Sequence, residues 1–226
     1  MSGSLFVVAT PIGNLEDVTA RAARVLREVD TIACEDTRVS AKLLASLGIS
    51  KPLFSWHAQS QERALMRIVE QIRSGANVAY ISDAGTPSVN DPGGKLVERV
   101  MREGMQVIPI PGPSALTAAI SVCGFPMETF TYVGFIPQKK GRETLFREMS
   151  ERKMPTVFLE TTHRIRKTLE QLRTHLDPAR LLFVGRELTK LHETLYRGTL
   201  AEVTGHIHAT SDKGEFVLII APKNFV

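Results

Sequence analysis

Ser82-Asp83-Ala84-Gly85-Thr86-Pro87-Ser88-Val89-Asn90-Asp91-Pro92-Gly93-Gly94 lies between two segments of clear type. Before it, Asn77-Val78-Ala79-Tyr80-Ile81 reads as a buried strand, and after it Lys95 to Glu103 reads as an amphipathic helix. Strand, loop and helix in that order form one unit of an open α/β sheet, which builds its ligand crevice in the turns after strands. A bare connector there needs about 2–6 residues. This one is longer and carries glycines, prolines and the carboxylates of Asp83 and Asp91, so it reads as a site.

Working outward, the first half alternates strands and helices. Strands are expected at Leu5 to Ala9, Thr31 to Cys34, Leu53 to Trp56, Val78 to Ile81 and Gln106 to Ile110, and helices at Val18 to Val29, Ser40 to Leu47, Gln59 to Arg73 and Lys95 to Glu103. Such alternation predicts a mostly parallel sheet covered on both faces. Pro111-Gly112-Pro113 then interrupts the pattern, and Ser114 can cap a helix over Ala115 to Val122. A boundary in this region divides the chain into an N-terminal α/β domain, 1–112, and a C-terminal α/β domain, 113–226. In the latter, strands at Phe130 to Phe135, Thr156 to Glu160, Leu181 to Gly185, Glu193 to Gly198 and Phe216 to Ala221 imply a mixed sheet. Helices are expected there at Arg142 to Arg152, Ile165 to His175 and Leu200 to His208.

Composition bounds the class. The 226 residues are 43% hydrophobic and 23% charged, which fits a soluble globular chain with real cores. No apolar run is long enough to span a bilayer, and the start, Met1-Ser2-Gly3-Ser4-Leu5-Phe6-Val7-Val8, reads as a first strand and not as a signal peptide. Cys34 and Cys123 stand far apart in apolar surroundings and read as free thiols in a reducing cytoplasm. The six histidines show no metal-ligand spacing, so no metal is expected. Net charge is +4, compatible with nucleic acid. The basic run Lys139-Lys140-Gly141-Arg142 and the later Arg164, Arg166 and Lys167 read as a phosphate-contacting surface or as a solvated face.

The common nucleotide fingerprints are missing. There is no GxxxxGK[ST], and the first strand leads into Thr10-Pro11-Ile12-Gly13-Asn14-Leu15 rather than GxGxxG. Glu35-Asp36-Thr37-Arg38 follows the second strand, either as part of the same crevice or as an ordinary helix start. Pro111-Gly112-Pro113-Ser114-Ala115 is either a hinge or a ligand loop at a helix N-terminus. Thr161-Thr162-His163-Arg164 and Gly185-Arg186-Glu187-Leu188-Thr189-Lys190 follow strands in the second half. His163 has the intrinsic pKa of a general base, although its position equally suits capping or packing. Together, these polar turns after strands describe a cleft between two α/β domains.

In order and spacing, Thr-Pro-Ile-Gly-Asn-Leu at 10–15, Glu-Asp-Thr-Arg at 35–38, Ser-Asp-Ala-Gly-Thr-Pro at 82–87, Asp-Pro-Gly at 91–93, Pro-Gly-Pro at 111–113, Thr-His-Arg at 162–164 and Arg-Glu-Leu-Thr-Lys at 186–190 resemble the ribosomal RNA small subunit methyltransferase I family. The resemblance covers nearly the whole chain. It implies the two-domain tetrapyrrole methylase (class III methyltransferase) α/β fold, with S-adenosylmethionine in an interdomain cleft. The implied activity is 2′-O-methylation of cytidine 1402 in the 16S rRNA of the small ribosomal subunit, by a cytoplasmic homodimer. It further implies cofactor contacts from Pro11, from Asp83, Ala84, Gly85 and Pro87, and from Ser114 and Ala115, with Glu160, Thr161, Arg186 and Glu187 as walls of the second domain. Several members continue past the last strand with a small extension, whereas this sequence stops at Val226; if that extension helps to grip RNA, either the contact comes from elsewhere in this chain or the chain is shortened.

RNA contact is assigned to Lys139, Lys140, Arg142 and Arg164. The group that handles the hydroxyl proton is sought among Glu35, Arg38, Glu187 and Lys190. Lys190 is the first choice, because burial can draw a lysine pKa toward neutrality. Two other readings are a tetrapyrrole C-methyltransferase of the same fold and a non-enzymatic RNA-binding module. The basic loop and the Thr-Pro-Ile-Gly and Glu-Asp-Thr-Arg variants argue against the first. The acidic turns argue against the second, since acids repel phosphate.

Overall fold

The structure is a computed structural model and describes residues 2–56 and 62–225. The chain divides into two compact units, Met1–Ser114 and Ala115–Val226.

The first unit runs β1 (Ser4–Val8), a 3-10 turn (Leu15–Asp17), α1 (Ala20–Glu28), β2 (Thr31–Cys34), α2 (Thr37–Ser46), β3 (Leu53–Ser55), α3 (Glu62–Arg73), β4 (Val78–Ile81), α4 (Gly93–Arg102) and β5 (Gln106–Ile110). The expected start of α3 at Gln59 lies outside the described residues. Two helices begin earlier than apolar spacing predicts, because a carboxylate accepts an amide of each first turn. Asp36 accepts the Arg38 amide at the start of α2, and Asp91 accepts the Gly93 amide at the start of α4.

The five strands pair in parallel in the order β3-β2-β4-β1-β5. From β1 the chain steps to β2 and β3 in one direction, then returns through β4 to β5 in the other. Parallel crossovers are right-handed, so helices made on the outward and return steps must cover opposite faces. The buried clusters follow this rule. Val8, Ile32, Ala79 and Ile81 pack with Ala22 and Leu26 of α1 and Leu44 of α2. Leu5, Ala33, Val78 and Tyr80 pack with Ile68 and Ile72 of α3 and Leu96 and Val100 of α4. Adjacent residues of β4 thus serve opposite faces, which explains its unbroken apolar sequence. Pro109, which lacks an amide proton, is tolerated because β5 is an edge strand.

The second unit runs α5 (Ala115–Val122), β6 (Thr131–Phe135), α6 (Arg142–Glu151), β7 (Thr156–Thr161), α7 (Ile165–Leu172), β8 (Leu181–Arg186), β9 (Thr194–Thr199), α8 (Leu200–Ala209) and β10 (Glu215–Ile220). Its sheet has the order β6-β7-β10-β8-β9 and is mixed, as expected. β6 and β7 are parallel, while β10 is antiparallel to both of its neighbours, and β8 and β9 are antiparallel. Phe158, Leu182, Val184, Phe216, Leu218 and Ile220 bury one face against α6, α7 and α8. α5 packs on β10. The capping box of α8, in which Thr199 and Glu202 satisfy each other's backbone amides, fixes the turn out of β9.

Gly93 shows how closely β4 and α4 approach. A Cβ there would collide with the Tyr80 ring, which is fully buried, and would stand 2.7 Å from Asp91 Oδ1. A Cβ on the next residue, Gly94, meets nothing within 4 Å. Gly93→Ala is therefore expected to destabilise the protein by about 1–3 kcal/mol through overpacking. Gly94→Ala is expected to be neutral or to stabilise by about 0.5–1 kcal/mol, since helical glycine is entropically unfavourable. Urea midpoints for the two variants test this, and equal midpoints would refute it.

Candidate active site

All strands of the first sheet are parallel, so their C-terminal ends share one edge. β4 lies between β2 and β1, whose connections leave toward the face opposite to its own. The loop after β4 therefore opens at a topological switch, where diverging connections leave a crevice.

Three loops are tied together there. Thr10 and Gly85 exchange backbone hydrogen bonds of 3.0 Å in both directions. Thr10 Oγ1 donates to the Ser82 carbonyl at 3.2 Å, and Thr86 Oγ1 donates to the Pro113 carbonyl at 3.0 Å. Gly85 has φ +81°, and a Cβ on it would press within 3.3 Å of Ile12 Cγ2, so glycine suits the position on both counts. These bonds bring the segments of Pro11, of Asp83, Ala84, Gly85 and Pro87, and of Ser114 onto one connected set of loops. Pro11 and Pro87 are buried within it, while Asp83 and Ala84 are exposed. Ala115 opens α5 in the second unit.

A second brace crosses from β2 to β4. The Asp36 amide donates to Asp83 Oδ1 at 3.0 Å, and the Asp83 amide donates to Glu35 Oε2 at 3.2 Å. Burial pushes the Glu35 carboxyl above its ordinary value; the Asp83 amide opposes this, and the nearby Asp91 and Asp83 charges add to the rise. The Arg38 guanidinium, 2.6 Å from Asp36, holds that carboxyl down at about 2. Arg38 itself is exposed and stays charged beside Asp36. Asp91 accepts hydrogen bonds from the Tyr80 hydroxyl at 2.8 Å and the Ser88 amide at 2.7 Å. Glu35, Asp36, Asp83 and Asp91 thus make an acceptor-rich rim, suited to a ligand with positive charge and hydroxyl groups.

In the second sheet, β6, β7 and β8 all end where β10 begins, because β10 runs against its neighbours. The loops after those strands therefore share an edge. Thr162 Oγ1 donates to the Gly214 carbonyl at 2.9 Å and accepts from its amide at 2.6 Å. The Arg186 guanidinium donates to the Lys213 and His192 carbonyls and to Thr194 Oγ1. Glu187, at φ +51°, accepts the Glu215 amide at 2.8 Å. Thr161 and Arg186, expected as walls, thus lie on one rim, with Arg186 already committed to backbone carbonyls. His163 is exposed.

Several expectations are corrected by this geometry. Lys190 is not a lysine with a lowered pKa. Burial would push it down, but the Glu215 and Glu187 carboxylates, at 2.9 and 3.0 Å, hold it above its ordinary value. Glu187 is likewise not a carboxyl with a raised pKa. Burial would raise it, but the Glu215 amide and the Lys190 ammonium hold it below the ordinary carboxylate range. Arg142 is only 5% exposed and spends its donors on Pro137, Thr168 and Gln171, so it does not meet phosphate. Arg164 is turned inward as well, onto Glu160 and the Ile136 carbonyl. Nor is the Glu160 side chain a wall of a cofactor pocket. It shares a face of β7 with Phe158, and that face is covered by α7, so the carboxylate is enclosed. Lys139 and Lys140 are exposed.

Thr10, Tyr80 and Thr168 were not singled out from the sequence. Thr168 had a signal: it occupies a buried position in the stripe Ile165, Thr168, Leu169, Leu172, where a hydroxyl needs a partner.

The tetrapyrrole (corrin/porphyrin) methylase family model matches residues 4–204, so the expected fold holds. The chain is 41% identical to the ribosomal RNA small subunit methyltransferase I of Thermotoga maritima, over 98% of this chain and 99% of that protein. It is 44% identical to the protein of that name from Neisseria meningitidis serogroup B, over 98% of this chain and 77% of that one. Among solved structures, uroporphyrin-III-C-methyltransferase from Thermus thermophilus superposes with a TM-score of 0.67 at 21% identity. That match covers 97% of this chain and 94% of the other, and it speaks for the fold.

The raised Glu35 pKa has a stability consequence. A carboxyl whose folded pKa is raised favours the fold while protonated, and that contribution is lost as pH rises through the folded value. Glu35→Gln, which keeps an acceptor for the Asp83 amide, should therefore stabilise the protein at neutral pH. Its effect should shrink toward zero below the ordinary glutamate value of 4.5. Denaturant midpoints of wild type and variant at the two pH values check the sign, and a gain larger in acid would reverse it.

Proposed function

The chain belongs to the ribosomal RNA small subunit methyltransferase I family of the tetrapyrrole methylases, and we propose that it transfers a methyl group from S-adenosylmethionine to the ribose 2′-hydroxyl of cytidine 1402 in 16S rRNA. The observation that carries this reading is identity of about two residues in five, over nearly the whole chain, with relatives bearing that name. We further infer, from the family resemblance alone, a homodimeric working form in the cytoplasm that needs no metal. Among the described residues no helix is long and apolar enough to cross a membrane, and no group of three or more His, Cys, Asp or Glu is placed to hold a metal ion.

The first rim fits the methyl donor. Its carboxylates suit a sulfonium and an ammonium, and Asp83 and Ala84 are exposed on it. Pro11, Asp83, Ala84, Gly85, Pro87 and Ser114 are assigned to holding it. When bound, S-adenosylmethionine supplies a methyl group already activated by the sulfonium. The chain's remaining tasks are to align the hydroxyl and to take its proton.

Of the four candidates for the proton, Glu35 is the one whose pKa is moved toward neutrality, which favours general-base work. Lys190 and Glu187 satisfy each other, and Arg38 remains a cation. Lys139 and Lys140 are assigned to RNA phosphates, as exposed charges on a short loop.

The test is methyl incorporation from labelled donor into small ribosomal subunits, in parallel with a uroporphyrinogen acceptor. Label should appear in 16S rRNA as an alkali-resistant ribose methyl. Label in the tetrapyrrole alone would move the chain to the C-methyltransferase reading. Glu35→Gln should lower the single-turnover rate by about 10²–10⁴, with donor affinity nearly unchanged. A rate close to wild type would remove Glu35 from the chemistry.

A further inference from the structure

The charge buried deepest in the second unit belongs to Glu160, whose side chain is 0% exposed. Its Oε2 accepts the Thr168 hydroxyl at 2.7 Å. Its Oε1 stands 3.1 Å from Arg164 Nε and accepts the Thr161 amide at 3.0 Å. Thr168 Oγ1 in turn accepts Arg142 Nη2 at 2.7 Å. One carboxylate thereby orients two guanidiniums, one directly and one through a hydroxyl.

Both guanidiniums reach the same short segment. Arg142 Nη1 donates to the Pro137 carbonyl at 3.0 Å, and Arg164 donates to the Ile136 carbonyl immediately before it. Gln171 Oε1 takes Arg142 Nε at 2.6 Å and completes the clamp. These two carbonyls begin the loop Pro137-Gln138-Lys139-Lys140-Gly141. Its far end is fixed by Gly141 at φ +83° and by a hydrogen bond from the Arg142 amide to the Lys139 carbonyl at 3.3 Å. Between the fixed ends, Gln138, Lys139 and Lys140 are exposed.

For stability alone such a network is a poor device. Desolvating the ions is unfavourable, and apolar residues of similar volume commonly do as well or better. What it supplies is direction: two adjacent peptide groups held at fixed angles, so that the next lysines project from a rigid base. Ordering the base beforehand lowers the entropy lost when a phosphate chain is gripped.

We propose that Glu160, acting through Thr168, Arg142 and Arg164, is a positioning residue that presents Lys139 and Lys140 to the phosphates of the RNA substrate. The inference rests on the RNA reading given above and extends it to buried residues that touch no substrate.

The experiment is a cycle of variants: Thr168→Val, the double variant Lys139→Ala/Lys140→Ala, and their combination. Thr168→Ser serves as the conservative restoration. Binding to small ribosomal subunits is measured across salt, together with KM, kcat and donor affinity. Thr168→Val should raise KM for subunits by about tenfold, leave kcat and donor affinity near wild type, and reduce the log–log salt slope by about 0.7–0.9 per lost contact. Thr168→Ser should restore the slope. With both lysines absent, Thr168→Val should have no further effect. Should Thr168→Val fail to fold, Gln171→Ala removes the other anchor of Arg142 from a partly exposed position.

An unchanged slope in Thr168→Val, with a reduced slope in the lysine variant, overturns the positioning role and leaves the RNA reading intact. Equal losses from Thr168→Val with and without the lysines overturn it too, because the threonine would then act only on the fold. A wild-type protein with no salt-dependent binding to subunits removes the RNA reading and this inference with it.

Discussion

The handedness of the parallel crossover is the constraint from which the first unit follows. With the chain stepping outward from β1 to β2 and β3 before returning to the central β4 and then to β5, right-handed connections force α1 and α2 to one face and α3 and α4 to the other. β4 is then flanked on both sides by strands whose connections leave the opposite way, and the crevice opens at its end. The Thr10–Gly85 backbone bonds and the Glu35–Asp83–Asp36 brace cross that opening. They hold the loops in place, which is what a pre-organised ligand site requires.

The second unit reaches a comparable edge by another route. Antiparallel insertion of β10 between β7 and β8 leaves those two strands pointing the same way, so their exit loops meet around Gly214. Hydrogen bonds on this rim hold two residues in an unfavourable backbone state. Glu187 and Thr189 both have positive φ, an uncommon state for residues with a side chain, and each lies beside a hydrogen bond that fixes it: Glu187 through the Glu215 amide, Thr189 through Glu193.

Most of the architecture was legible in the sequence, because it rests on periodicity. The β4 and β5 strands, the apolar stripe of α1 and the mixed second sheet follow from spacing and from Gly and Pro punctuation. Helix starts were less legible, because Asp36 and Asp91 hold first-turn amides through side-chain geometry that spacing does not encode. Site roles were least legible. Glu160, Arg142 and Arg164 stand beside loop residues in the sequence, and only the pairing of β7 with α7 reveals that they face inward. Alternation held the clue, since Phe158 and Glu160 must share a face, yet the unbroken run Val157-Phe158-Leu159 hides which face is covered. Lys190 failed for a related reason. Its position after a strand is visible in the sequence, but the convergence of Glu187 and Glu215 on its ammonium depends on the β8–β10 register.

Burial sorts like residues into unlike functions in this chain. Lys139, Lys140, Arg142 and Arg164 carry the same charge within one stretch of sheet edge. The two lysines stand in water, where a charge is free to meet a phosphate and is readily screened. Arg142 is buried and Arg164 is partly so, where an unpaired guanidinium is unfavourable, and each is bound to a carboxylate or hydroxyl and to a carbonyl. Arginine suits the enclosed role because its planar fork can hold several acceptors at set angles, whereas lysine suits the exposed one as a mobile point charge. The same logic separates the carboxylates. Glu160 is matched by cations and serves geometry, while Glu35 is half-buried among other acids with only a backbone amide to hold it, and so retains the proton affinity that chemistry can use.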